Sequence, residues 1–396
     1  MTTQPSFFFN HMVFKLFFSA CLLLCFTFFS QAKTSQYEVT QINDHVYILS
    51  YPYSPKDKLS IGVVIGEQGV TLINTMMRST VAELEHALLT LTDKPVRYVI
   101  NSNYDWWSTS ANQYFAQQGA TIIAHQDTQY MTRNHTQLLF KDKLELDLGT
   151  EQLFAYRSGG HSFGHINIVL KQANLIWLAD SFKQTWPTIF GPNGLEGYRQ
   201  GLESALNYGN EKTQYVAGSS SSKNDLLVDA KTLRQELSAR NAFYARAKTL
   251  IQQGKSNQQI ISDPVLNKTL STYSNPKHHQ AQAYLIDRVR FHSKKTQNTL
   301  IESNYQHLIG RYKAQNGTVL EVLWYQDQLV AKAQGWFIAG LVQNNDSHYM
   351  FNPEQPTSQL VFSNMQQDKY TQLTIAFASN YQGYLSPLKT LEFIRL

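Results

Sequence analysis

The sequence predicts an α/β chain: a four-layer αββα sandwich, then a helical segment, then a small antiparallel β domain. Three observations predict it. From Tyr37 onward, strand patterns lead into a helix, a strand, a polar loop and a further helix; a second sheet-then-helix succession follows, up to Ala217; beyond Asp229 the pattern turns helical and then to short strands separated by turn residues. Two sheet-then-helix halves bury one face of each sheet on the other and the opposite face under helices, which makes four layers.

The elements follow in order. Glu38 to Ile42, Val46 to Tyr51, Ile61 to Ile65 and Val70 to Asn74 read as an antiparallel meander, with Gly66-Glu-Gln-Gly69 as a tight hairpin turn. Val81 to Leu91 carries apolar residues at helical spacing, and Val96 to Ile100 is a buried strand opening into the polar loop INSNYDWWSTSAN, Ile100 to Asn112. A helix is expected over Ala111 to Gln118, a strand over Thr121 to Ala124 and a helix over His125 to Leu139. The second half places strands near Leu144 and Phe154 and over Ile166 to Leu170 and Leu175 to Leu178, a helix over Leu195 to Tyr208 and a strand over Gln214 to Ala217. Helices follow over Ala230 to Gln253, stopped at Gly254, over Asn257 to Ile261 and over His278 to Phe291. Strands at Gly310 to Tyr312, Thr318 to Tyr325 and Leu329 to Gln334, with a turn at Asn316-Gly317, read as a small barrel or sandwich. The expected division is 1–32, 33–228, 229–300 and 301–396.

With 396 residues and 42% hydrophobic content the chain can build a real core in two or three domains. Residues 1–32 read as a secretory signal: Lys15, an apolar run from Leu16 to Phe29, and Ser30-Gln31-Ala32 as the cleavage site. This directs the protein to the periplasm or the medium. The run is short of the ~20 residues of a membrane span, so no stable span is expected after cleavage. Cys21 and Cys25 both lie in that signal, which removes disulfides and thiolate ligands from the mature chain. A net charge of +5 is ordinary for this length. The basic stretches Arg240 to Lys248 and Arg288 to Lys295 read as solvated helix faces, not as a nucleic-acid surface.

Three motifs carry a resemblance: the loop Ser102 to Asn112, His161-Ser-Phe-Gly-His165, and Leu178-Ala-Asp-Ser181. Together with Ile122-Ile-Ala-His125 they resemble the metallo-β-lactamase superfamily over about residues 37 to 220. That family writes its loop roughly as T-H-x-H-x-D-H-x-G-G-N and binds two zinc ions. The resemblance implies that Asn103 and Asp105 stand where the first two histidines would be, and that His165 keeps the third. It also implies that Trp107 and Ser108 replace the Asp-His pair of the second zinc, that Asp180 keeps the bridging carboxylate, and that Ser219 replaces the last histidine. Asn74, in Leu72-Ile-Asn-Thr75, stands for a supporting aspartate. His161 is a turn residue in the family, not a ligand. Zinc takes about four N, O or S donors, so the centre is degenerate.

The groups that survive leave three outcomes. Asp105, His165 and Asp180 can hold one divalent metal, with oxygen-rich ligation suiting Zn, Mn or Fe. A proton or an imidazolium can neutralise the two carboxylates in a metal-free core, because two buried acids cannot both stay charged without a partner. Or Asp105 and Asp180 serve metal-free acid/base chemistry. The functional expectation is a pseudoenzyme that binds a small molecule or a protein partner at a mouth formed by Asn103, Tyr104, Trp106, Trp107, Ser108, Trp186 and Ser219. The alternative is a metal-dependent hydrolase using the single altered site on an ester, lactam or related bond. No G-x-S-x-G elbow is present, and Trp324, Trp336 and Phe337 read as strand core. His278-His279 reads as a solvent-facing pair. The tail also resembles the β-rich domain behind some serine hydrolases of the β-lactamase-related group.

Overall fold

The computed structural model describes residues 36–55, 57–131, 135–184, 191, 193–269, 278–297, 301–335, 337–351, 358–376 and 390–396. The expected signal at 1–32, its two cysteines, Trp186 and Trp336 lie outside these residues, as do the side chains of His278 and His279.

The first sheet runs β1 (Glu38–Gln41), β2 (Val46–Ser54), β3 (Asp57–Ile65), β4 (Val70–Ile73), β5 (Val96–Asn101), β6 (Thr121–His125) and β7 (Leu138–Phe140). β1 to β4 form the antiparallel meander, closed at Gly66 N–H to Gly69 O, and β4 to β7 pair in parallel. The second sheet contains β8 (Lys143–Asp147), β9 (Gln152–Arg157), β10 (Ile166–Leu170), β11 (Leu175–Ala179) and β12 (Gln214–Ala217). After β12 the chain crosses back through β13 (Ser219–Ser220), which pairs with β3, and returns as β14 (Leu227–Val228) beside β12.

Between the sheets Ile48, Val64, Ile73, Ile100 and Ile123 meet Leu153, Ile168, Leu170 and Trp177, all buried. Each such side chain contributes about 1.5–3 kcal/mol of burial free energy. On the outer face of the first sheet lie the helices Val81–Leu89 and Asn112–Gln117, held by Val81, Leu84, Leu88 and Phe115. The second sheet is covered by the helix Gly194–Tyr208 through Tyr198, Leu202 and Ala205. The predicted four layers are therefore present.

The helical segment packs on that last helix. Ala230–Gln252 contributes Leu233, Phe243 and Leu250, which meet Leu285, Ile286 and Val289 of His278–Gln297. Asp229 caps the first helix by accepting from Thr232 N–H, and Gly254, at φ 73°, ends the turn that follows it. A buried hydrogen bond fastens the segment to the sandwich: Tyr198 donates to Glu236 at 3.1 Å, and Arg240 of Glu236's own helix holds that carboxylate at 2.7 Å.

The last nine strands are β15 (Gly310–Ala314), β16 (Val319–Tyr325), β17 (Gln328–Ala333), β18 (Phe337–Gly340), β19 (Val342–Asn345), β20 (His348–Met350), β21 (Gln359–Gln366), β22 (Lys369–Ala376) and β23 (Thr390–Arg395). They form one antiparallel sheet in the order β18-β17-β16-β15-β23-β22-β21-β20-β19. Its two end strands are joined by Leu341 alone, so the sheet curls into a nearly closed barrel around Tyr312, Leu320, Tyr349, Phe362 and Phe393.

One element differs from expectation. Among the described residues, the stretch expected as one helix over His125 to Leu139 is helical only at Thr128–Met131, and β7 already begins at Leu138. The cause is local. Asp127 N–H donates to His125 Nδ1 and Thr128 Oγ1 donates to the His125 carbonyl, so side chains take the backbone groups that a helix would use. Among the described residues no helix is long and apolar enough to cross a membrane.

Candidate polar centre

The special loop leaves β5 at Asn101, whose side chain exchanges hydrogen bonds with Asn112 at 3.1 and 2.7 Å and pins the loop's two ends. Asn74 supports it from β4. Its amide oxygen accepts from Ser102 N–H and Oγ at 2.9 and 3.0 Å, the acceptor role a carboxylate would fill, and its φ of 69° suits asparagine. Asn103 Oδ1 accepts from Asp105 N–H and tightens the turn. Asp105 then sits at the N-cap of the one-turn helix Trp106–Thr109 but does not cap it; its carboxylate turns to His161 Nε2 at 3.0 Å.

Asp180 enters from the end of β11. Ala179 before it has φ 46°, a left-handed conformation costing of order 1–3 kcal/mol for a residue with a Cβ, and Gly218 packs against its carbonyl where a Cβ would lie only 2.4 Å away. That bend turns the Asp180 carboxylate into the loop. Oδ2 accepts from Asn103 Nδ2 at 2.6 Å and from the Trp107 indole at 2.9 Å, and Oδ1 lies 2.5 Å from Lys183 Nζ. Lys183 also lies over the Trp107 ring, 5.1 Å from its centroid.

Four charged groups thus share one pocket. Burial would raise the Asp180 pKa, but the Lys183 ammonium and His161, with hydrogen bonds from Lys183 and Trp107, outweigh it and hold the carboxylate below its usual range. Burial raises Asp105, and His161 only partly offsets this while Asp180 adds to it. Burial would lower His161, but Asp105 and then Asp180 outweigh it and hold the imidazole above its usual value. His165 is different. Burial, with His161 beside it, pushes it down to about 3, and its Nε2 faces the Leu178 carbonyl at 3.1 Å. A neutral ring that donates from Nε2 leaves Nδ1 as an acceptor, and that atom is buried without a hydrogen-bond partner.

Asp105, His161 and Asp180 each offer one ligand atom, and these lie within 4.8 Å of one another. The histidine of this cluster is His161, the residue read from sequence as a turn residue; His165, read as the ligand, is committed to Leu178 instead. The donor set can coordinate one divalent ion and is incomplete by a donor relative to tetrahedral zinc. Among the described residues there is no second group of three such donors. The fit is opposed by Lys183, whose ammonium already stands 2.5 Å from Asp180 Oδ1 and would repel a divalent ion in the same cluster.

The other expected pocket residues divide. Trp106 and Tyr104 are half-buried, and Trp106 packs against Trp107 at 5.5 Å and the exposed Tyr53 at 6.0 Å. Ser108 is buried, and its carbonyl accepts from Thr75 and Asn101. Ser219 is buried in β13 opposite Leu59. The cavity left beside Trp107, between Ser60, Asn74, Met76 and Asp180, is about 10 Å³. That is room for one water at most, so the Trp107 ring leaves no open space beside Asp180 for a larger group. Sequence reasoning did not single out Lys183. The signal for it was a lysine three residues after the one surviving bridging carboxylate.

No protein-family profile matches this sequence, and no curated relative matches it. Among solved structures the chain is similar to the metallo-beta-lactamase family protein TTHA1429 from Thermus thermophilus, at 14% identity and a TM-score of 0.50, over 68% of this chain and 97% of that one. It is similar to a double mutant of the sec-alkyl sulfatase PisA1 at 12% identity and a TM-score of 0.51, over 65% of this chain and 50% of that one. A metallo-beta-lactamase from Pontibacter korlensis matches at 19% identity and a TM-score of 0.45, over 51% of this chain and 98% of that one. At such identities the fold is what is shared. The sandwich is a metallo-β-lactamase fold, and its metal site is degenerate.

Proposed function

We propose that this is an exported, non-hydrolytic protein of the metallo-β-lactamase fold that binds a small molecule or a protein partner at the aromatic mouth of its polar centre. The observation that carries the reading is Asp180: Oδ2 accepts from Asn103 and Trp107, and the cation against Oδ1 is Lys183 at 2.5 Å. An ammonium neutralises a carboxylate but offers no coordination position. Nothing then lowers the pKa of a water from ~16 to about 7, the step on which metallohydrolysis rests. Tyr53, Tyr104 and Trp106 remain at the mouth, where rigid rings give contact area at low entropy cost. The test is hydrolysis of lactam, ester and sulfate-ester substrates with and without added Zn, Mn or Fe, beside ligand-induced quenching of tryptophan fluorescence. Binding lost in Trp106→Ala without turnover supports the reading; metal-dependent turnover lost in Asp180→Ala contradicts it.

A second reading has its own observation. The 4.8 Å cluster of Asp105, His161 and Asp180 would hold one metal if Lys183 withdrew, and that metal would supply a Lewis acid. The chain would then act as a single-metal hydrolase on an ester, lactam or related bond.

A further inference from the structure

The loop that delivers His161 is held by more than the sandwich. Phe163, midway between His161 and His165, is buried against Val330 and Ile338 of the barrel, with the Tyr325 ring 6.2 Å away. The turn joining β16 to β17 reaches to either side of that plug. Tyr325 donates its hydroxyl to the buried Asp127 carboxylate at 3.0 and 2.9 Å, and Gln326 Nε2 adds a third hydrogen bond at 3.3 Å. Gln328 Nε2 donates to Asn193 Oδ1 at 2.6 Å. Asn193 in turn stands over Gly159 at the start of the loop, where a Cβ would lie 3.5 Å from its amide nitrogen, and Gly191 N–H donates to the Gly160 carbonyl. On the other side Gly164 lies so close to Thr128 that a Cβ would come within 2.9 Å, and Thr128 follows Asp127 directly. Gln326 and Asp327, at φ 52° and 57°, give the turn the shape that presents these side chains together.

We propose that the barrel is a positioning element of the polar centre: docked through Phe163 and the Tyr325–Gln328 turn, it fixes the loop from which His161 reaches Asp105. Phe163, Tyr325 and Gln328 are positioning residues, since none of them touches Asp105, Asp180 or Lys183. An apolar plug in a closed pocket and hydrogen bonds to a buried carboxyl are geometry-dependent contacts, so they hold one loop conformation and not a range of them. The inference holds whether Lys183 or a metal ion serves as the centre's cation, and so it stands apart from the reading of the site's function.

The test uses the full chain. Amide hydrogen exchange of residues 158–165 is measured in wild type, in a Tyr325→Phe/Gln328→Ala variant and in Phe163→Ala, with β10 and β20 as internal references. The expected result is loop exchange faster by about tenfold in each variant, with β10 and β20 unchanged, because local opening costs less once the clamp is gone. His161 should also react faster with an imidazole-acylating reagent, and Phe163→Leu should restore slow exchange. Unchanged loop exchange in both variants would overturn the proposal. So would equal acceleration in β10 and β20, which would mean that the contacts only stabilise the whole molecule.

Discussion

Asp180 and Asp127 are both buried aspartates at loops of the first domain, and their environments push them in opposite directions. Asp180 touches an ammonium, an amide and an indole, and its carboxylate is held below the usual range. Asp127 is contacted by the neutral donors Tyr325 and Gln326 and by His125, 3.6 Å away and kept neutral by burial down to about pH 4, with Lys332 and Arg157 acting from farther off; burial dominates and pushes it up to about 6. Depth is not what separates the two. What separates them is a cation in contact, and that makes one site an ion-pair centre and the other a hydrogen-bonded joint between domains.

The largest expected effect comes from removing that cation. Lys183→Ala leaves Asp180 buried without the cation in contact with it and should cost about 3–5 kcal/mol in urea denaturation without metal. Added Zn or Mn should recover part of the loss, since a divalent ion between Asp105, His161 and Asp180 would replace the lost positive charge. If the variant is as stable as wild type in chelator, the contrast between the two aspartates fails.

The second effect is in pH dependence. A raised Asp127 pKa means that its contribution is fully present below the unfolded value near 4 and is lost as pH rises through about 6. His125, pushed down to about 4 by burial, works the other way: its contribution is present above the unfolded value near 6.5 and is lost as pH falls through about 4. The two oppose one another in one window. Asp127→Asn should therefore gain on wild type by up to about 3 kcal/mol between pH ~4 and ~7. Denaturation curves at several pH values check this, and a constant difference would contradict it.

Two smaller changes sharpen the comparison. Trp107→Phe keeps an aromatic ring but removes the pyrrole ring that donates to a charged oxygen and should cost at least about 2 kcal/mol; Tyr325→Phe removes a donor to a partly protonated carboxyl and should cost about 1 kcal/mol. The Tyr325 effect should grow above pH ~6, where Asp127 is ionised, while the Trp107 effect should stay flat.

The fold was legible because it is written in repeated local patterns. Ile100, Ile122, Ile168 and Trp177 sit in runs that only buried strands carry, and Gly66 to Gly69 closes the hairpin its glycines announce. The loss of the metal ligands was also legible, since Trp107 cannot stand in for an aspartate ligand, nor Ser108 and Ser219 for histidines. What the sequence left hidden was partner choice across long separations. His161 and His165 are both histidines of one short motif, and only the packing of the loop decides that one faces Asp105 and the other the Leu178 carbonyl. The helix expected at His125 failed for a similar reason, because the His125 ring as acceptor and the Thr128 hydroxyl as donor compete for backbone groups.

The most direct test is a metal titration of the purified protein against Lys183→Ala, read by elemental analysis after dialysis and by calorimetry with Zn and Mn. The account predicts no stoichiometric metal on wild type and one bound ion on Lys183→Ala, lost again in Lys183→Ala/Asp180→Ala. One tightly retained ion on wild type, absent from Asp180→Ala, would contradict it.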